Sequence, residues 1–206
     1  CNLKCPYCHS RDLVYLKENM YPIVTEKINE YLESHRKDLD GIYISGGEPL
    51  MHEGVVSFLQ YAKTLNYKIK IHTNGMFYER LKTILAQKLV DHVSLDIKNA
   101  PSAYAKTCGV EDMDLKDIEK SLDLLKQSAV PYDICVTLVD ELHNQATIEE
   151  LGQWIQGVDT VILQPFEDSE TTIDHSLHRP SFEVVLKYKK IFEKYVKHVK
   201  IRGDQA

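Results

Sequence analysis

The segment GIYISGGEP, residues 41–49, carries a strand straight into a turn. Ile42, Tyr43 and Ile44 are β-branched or aromatic, types that fit a pleated, half-buried surface. Gly46, Gly47 and Pro49 end the run, since glycine and proline are turn residues. The pattern recurs down the chain. YKIKIHTNG (67–75) alternates and stops at Asn-Gly, and HVSLDIK (92–98), YDICVTLV (132–139), TVILQPF (160–166) and HVKIR (198–202) also read as strands. The spacing predicts about six strands.

Helical periodicity fills the gaps. A first helix is expected over about 22–37, and others over 53–66, 79–90, 114–129, 147–156 and 181–196. Val55, Val56, Leu59, Ala62 and Leu65 share one face of the second; Leu115, Ile118, Leu122 and Leu125 share one face of the fourth, with Asp114 as its N-cap. Thr147 and Glu150 have the spacing of a capping box. Such alternation implies a parallel sheet flanked by helices, curled into an open sheet or a barrel. In either case the loops after the strands gather on one rim, where ligands bind. SGGEP, HTNG, DIK and QPFED all sit there, so residues distant in sequence should face one cavity.

At 206 residues the chain suits a single domain spanning 1–206, with no linker or low-complexity segment. A net charge of −6 gives no footprint for nucleic acid or an anionic membrane. No apolar run approaches the length needed to span a bilayer. Five cysteines is an odd count, and three of them fall within CNLKCPYCHS (1–10), at Cys1, Cys5 and Cys8. That usage suits reduced, cytoplasmic metal chemistry better than secreted disulfides. The chain starts on Cys1 without an initiator Met, and the strand expected before this loop is missing, so the numbered sequence reads as trimmed.

Thiolates are soft ligands for iron–sulfur clusters, zinc and copper(I). Three could hold three irons of a [4Fe–4S] cube and leave the fourth iron open. Zinc, with His9 or a distant cysteine as fourth ligand, is the competing reading. Cys135, inside a strand, reads as a small buried hydrophobe. Cys108 lies in a loop beside Gly109.

CNLKCPYCH resembles the Cys-x3-Cys-x-aromatic-Cys motif of the radical S-adenosylmethionine (SAM) enzymes, with Tyr7 as the aromatic. The resemblance covers essentially the whole chain. It implies a partial (βα)6 barrel with the cluster loop at 1–10, a [4Fe–4S] cluster on Cys1, Cys5 and Cys8, and SAM on the open iron. In that family the reduced cluster cleaves SAM to methionine and a 5′-deoxyadenosyl radical, which abstracts a hydrogen atom. Tyr7 then becomes a packing neighbour of cofactor or cluster.

The companion motifs extend the resemblance. SGGEP (Ser45, Gly46, Gly47, Glu48) is similar to the family's GGE motif, which holds the amino group of SAM; read alone it is a turn. HTNG offers Thr73 and Asn74 as hydrogen-bonding groups, or only a turn. In pyruvate formate-lyase activase an aspartate precedes Thr-Asn-Gly, where this chain has His72, so a cation site using that carboxylate is not expected. Asp96 and Lys98 lie two apart on one strand face, with Lys98 suited to the carboxylate of SAM and an internal ion pair as the plain alternative. LQPFED (163–168) resembles a late-strand region of the activases, with Glu167 where one activase has a histidine.

CPYCHSRDLV, ISGGEPLM, LVDHVSLDIK and VILQPFEDSET resemble the glycyl-radical-enzyme activases, closest to those of anaerobic ribonucleoside-triphosphate reductase. The resemblance implies a glycyl radical enzyme as partner, the anaerobic ribonucleotide reductase, and an electron donor such as flavodoxin or ferredoxin. The alternatives are a pyruvate formate-lyase activase, a small-molecule enzyme such as 7-carboxy-7-deazaguanine synthase, or a non-catalytic zinc-binding module.

Overall fold

A computed structural model describes residues 1–16 and 23–203. All six expected strands are present: β1 (Gly41–Ile44), β2 (Lys68–Thr73), β3 (His92–Asp96), β4 (Tyr132–Leu138), β5 (Thr160–Pro165) and β6 (His198–Ile201). They form one parallel sheet in sequential order, β1 to β6, with no pairing between its two edges. This is the partial barrel that the resemblance implies, one of the two forms the alternation leaves open.

Two helices precede β1, α1 (Arg11–Tyr15) and α2 (Thr25–Ser34), and helices fill each crossover after it: α3 (Val55–Thr64), α4 (Tyr78–Ala86), α5 (Tyr104–Thr107) with α6 (Lys116–Gln127), α7 (Gln145–Trp154) and α8 (Phe182–Phe192). The strand period of two sorts the side chains. Ile69, Ile71, Val93, Leu95, Ile134, Val136, Val161 and Leu163 are buried on the convex face. Against them pack Leu59 and Ala62 of α3, Leu81 and Ile84 of α4, Ile118, Leu122 and Leu125 of α6, Ile148 and Leu151 of α7, and Phe192 of α8. Each such aliphatic side chain contributes about 1.5–3 kcal/mol relative to exposure. The intervening residues, Lys70 and His72, His92, Ser94 and Asp96, Asp133 and Cys135, line the concave face.

Three local expectations need correction. The first long helix covers Thr25–Ser34, shorter than 22–37, and residue 22 lies outside the described residues. The capping box of α7 is Asn144 with Thr147, whose side chains each accept or share a bond with the other's backbone. The Thr147–Glu150 pair is not used, because Asn144 starts the helix one turn earlier and Glu150 bonds Ser102. At α6 the capping position falls on Leu115, while the Asp114 carboxylate accepts the N–H of Lys116 at 3.0 Å. The short helix α1 has no apolar stripe and left no mark in the periodicity.

Candidate active site

One cavity at the C-terminal ends of the strands is lined by all twelve residues singled out from the sequence: Cys1, Cys5, Tyr7 and Cys8 of the first loop, Ser45 to Glu48 after β1, Thr73 and Asn74 at the end of β2, and Asp96 and Lys98 at the end of β3. Leu3, His9, Ser10, His72, Thr137 and Gln164 complete the wall. A larger apolar groove lies beside it, between Leu13, Ile28, Val55 and Phe58. It meets this cavity only at Ser45 and Gly46 and carries none of the cysteines.

Glu48 is 1% exposed and fully engaged. Its Oε1 accepts the N–H of Leu50 at 2.9 Å and the hydroxyl of Thr73 at 2.8 Å, and its Oε2 accepts the N–H of Asn74 at 2.7 Å. Burial pushes the carboxyl up, and these donors hold it only partly down. Thr73 and Asn74 therefore position Glu48, while Asn74 also reaches Asn2 through its side chain, at 2.8 Å. Gly46 and Gly47 take φ of +85° and +57°, which a β-carbon would strain. A β-carbon on Gly47 would also stand 3.8 Å from that of Cys1.

Asp96 and Lys98 pair at 2.7 Å. Burial alone would neutralise both. For Asp96, burial is outweighed by Lys98 and His72, and the carboxyl sits well below its usual range. Lys98 is likewise kept charged against burial by Asp96. The backbone of Lys98 is clamped by a residue sequence reasoning passed over. His143 is 3% exposed; it accepts the N–H of Val139 at Nδ1, leaving Nε2–H to donate to the Lys98 carbonyl at 3.0 Å. Burial lowers its pKa, which keeps it neutral for this role. Asn99, buried beside it, bonds Thr107 and the Leu142 carbonyl.

Cys108 is not the remote loop residue its sequence position implies. It is fully buried, and its carbonyl accepts the N–H of Lys4 at 3.1 Å. Its thiol sits beside that of Cys5 and, opposed by burial and helped by Lys98, lowers the Cys5 thiol to about 7. Gly109 allows the approach, since a β-carbon there would lie 2.3 Å from the Lys4 carbonyl oxygen. Cys8 is pushed up by burial.

Other expectations are redirected. Glu167 is a surface residue paired with Arg179, away from the cavity wall. His9 lines the cavity but is held by protein groups: it packs edge-on against Phe166 at 5.8 Å and bonds Ser169. Cys135 is buried in β4 as expected. Its sulfur, with His72 and Asp96, forms the group of three ligand atoms that converge within 4.8 Å among the described residues.

The cavity fits a cluster and an amino-acid-bearing cofactor. Three soft thiols stand on one loop, a buried carboxylate and a buried ammonium flank them, and the Tyr7 hydroxyl is buried beside Cys5 without an aligned hydrogen bond. No helix among the described residues is long and apolar enough to cross a membrane.

The comparisons agree with this geometry. A Methanocaldococcus jannaschii protein provisionally named a glycyl-radical enzyme activating enzyme is 30% identical over 208 residues, covering 98% of this chain and 85% of its own. A GTP 3′,8-cyclase of Alkaliphilus oremlandii is 26% identical over 74% of this chain, which spans about half (48%) of that protein. The fold matches a crystal structure of a domain of pyruvate-formate lyase-activating enzyme from Bacteroides vulgatus, with a TM-score of 0.63 at 19% identity, over 79% of this chain and 99% of that one. The description "Radical SAM superfamily" matches residues 1–155, which hold the cysteine loop and every strand-end motif as far as β4. With that match over three quarters of its length, and a relative 30% identical along nearly all of it, the chain belongs to the radical SAM superfamily.

Proposed function

We propose that this chain is a glycyl-radical-enzyme activase, acting on a partner of the anaerobic ribonucleoside-triphosphate reductase type. The observation that carries the reading is the convergence of all twelve residues on one cavity open at the rim. The M. jannaschii relative supports the activase class, because its match runs nearly the full length of both chains.

Cys1, Cys5 and Cys8 would hold a [4Fe–4S] cluster; Ser45, Gly46, Gly47, Glu48 and Lys98 would hold SAM. When bound, the two supply one-electron chemistry that ends in abstraction of a hydrogen atom from a substrate. The chain's own residues prepare for this. Glu48 is a buried carboxylate, and three neutral donors do not offset its desolvation. A cationic amino group beside it would. Lys98, fixed at its backbone by His143, presents an ammonium to a carboxylate. Glycine at 46 and 47 lets the ligand approach the backbone. The Cys108 thiol beside Cys5 favours its thiolate, the form that ligates metal. In the domain this reading proposes, the sheet continues past residue 155 through β5 and β6.

The test is anaerobic reconstitution with iron and sulfide, then incubation with SAM, a reductant and candidate partner enzymes. About four irons per chain and a glycine-centred doublet in electron paramagnetic resonance on a reductase-type partner are expected. A colourless protein with one tight zinc, or reduced protein that never cleaves SAM, sinks the reading. A second reading, a small-molecule enzyme, is favoured by the cyclase relative. It predicts substrate turnover with no protein partner present.

A further inference from the structure

The concave face carries a second ligand set apart from the cysteine loop. His72 of β2, Asp96 of β3 and Cys135 of β4 come from three adjacent strands. Asp96 and Cys135 are direct cross-strand neighbours, and His72 faces Ser94, two residues before Asp96. One ligand atom from each lies within 4.8 Å of the other two. The period of two places all three side chains on the same face.

The histidine is held as metal-ligating histidines are held. Its Nδ1 lies 2.5 Å from the Tyr43 hydroxyl, which fixes the ring through the nitrogen that would not ligate. Its Nε2 lies 2.8 Å from Asp96 Oδ1 but off the N–H direction, so this buried ring nitrogen has no aligned hydrogen bond. Asp96 can serve without leaving Lys98, which uses the other oxygen, Oδ2. The Cys135 thiol donates to Asp133 at 3.4 Å from below and is 3% exposed. Its proton would leave to solvent when the thiolate binds, as ligation by cysteine requires.

The geometry points to a mononuclear site for a borderline divalent transition metal, such as zinc, cobalt(II) or iron(II), on His72 Nε2, Asp96 Oδ1 and Cys135 Sγ. The mixed nitrogen, oxygen and sulfur set selects this class over calcium or magnesium, which prefer oxygen alone. Three protein ligands leave a fourth position. His72 and Asp96 line the cavity and Cys135 does not, so that position faces the cavity, where water or a carboxylate or amine of a bound molecule would complete the shell. The site shares a wall with the proposed SAM pocket but uses none of Cys1, Cys5 and Cys8.

The experiment uses the full, tag-free chain carrying Cys1→Ser, Cys5→Ser and Cys8→Ser, titrated anaerobically with cobalt(II). Because this variant cannot hold the cluster, its outcome is independent of the activase reading. One cobalt per chain is expected, with a near-ultraviolet thiolate-to-cobalt band and four-coordinate visible bands. Adding Cys135→Ser should abolish the thiolate band. Adding His72→Gln should weaken binding by at least about tenfold, and Tyr43→Phe, which only orients the ring, by roughly 10–100-fold. Circular dichroism checks that each variant is folded, and Ser replaces Cys135 with little change in volume. In parallel, the cluster-loaded parent should retain one zinc per chain beside its iron after gel filtration, and its Cys135→Ser variant none. Cobalt binding without the thiolate band, uptake unchanged by Cys135→Ser and His72→Gln, or no stoichiometric binding at all would overturn the site and leave His72 and Asp96 as a simple ion pair.

Discussion

Two carboxylates stand on the concave face of the sheet, two residues apart in register, and the chain treats them differently. Asp133 is closed in. It takes the Ser94 hydroxyl at 2.6 Å, His92 Nε2 at 2.6 Å, Lys70 Nζ at 3.3 Å and the Cys135 thiol at 3.4 Å. Asp96 is open. It meets Lys98 and His72, and its remaining surface faces the cavity. Burial raises both carboxyls, and in both the surrounding donors and cations win and lower them. The difference is in what remains unfilled. A saturated cluster stiffens the sheet below the rim, while an unsaturated one keeps binding capacity for a ligand.

The comparison breaks most sharply at the lysines. Lys98→Ala should weaken SAM binding by about 10–100-fold, the value of a charge-assisted hydrogen bond. Lys70→Ala, one layer down, should leave it unchanged; equilibrium dialysis of reconstituted protein reads both. If Lys70→Ala weakens SAM equally, the lower cluster belongs to the site. Stability should show the reverse ranking. Asp133→Ala leaves His92, Lys70 and Ser94 without their acceptor and should cost about 3 kcal/mol in urea unfolding. Asp96→Ala should cost about 1 kcal/mol, since Lys98 can then turn to water in the cavity.

Acid sharpens the contrast. A lowered folded pKa contributes stability that is present above the unfolded carboxylate value of about 3.9 and lost as pH falls through the folded one. Asp96 and Asp133 should both lose stability on that acidic side, and Asp133→Asn should remove part of the loss. Glu48 has the opposite sign. Its folded pKa is raised by burial, so its contribution is present below the unfolded value of about 4.3 and lost as pH rises through the folded one. A cationic ligand reverses that preference. SAM affinity should therefore fall as pH drops through the raised Glu48 value, and Glu48→Gln should bind more weakly with a flatter profile. An unchanged profile in Glu48→Gln would remove Glu48 from amino-group binding. The smallest effect is expected at Cys108. Cys108→Ala should retain iron and SAM cleavage but shift the cluster's reduction potential, because the thiol packed beside a ligating sulfur is lost. Loss of iron would instead make Cys108 a ligand.

Much of this was legible because it is local. Alternation marked the strands, Gly-Gly and Asn-Gly marked their ends, and three cysteines in eight residues marked the loop. The misses share a cause. Asn144 displaced Thr147 as a cap because helix starts compete within one turn. Cys108 reached Cys5 because the loop after β3 folds back, held by Asn99 and His143, whose partners lie 43 to 45 residues away. Glu167 fell outside because the chain leaves the cavity after the buried Phe166 and pairs Glu167 with Arg179 at the surface.

The sequence by itself determined the order of strands and helices, the face each strand residue takes, and the chemistry gathered at the rim, because side-chain period and turn residues act over a few positions. Only the tertiary structure decided which charge meets which. Asp96 finds His72 and Cys135 finds Asp96 through strand register, and register follows from how the convex apolar faces pack beneath the helices. A slip of one residue would turn every one of these groups to the other side.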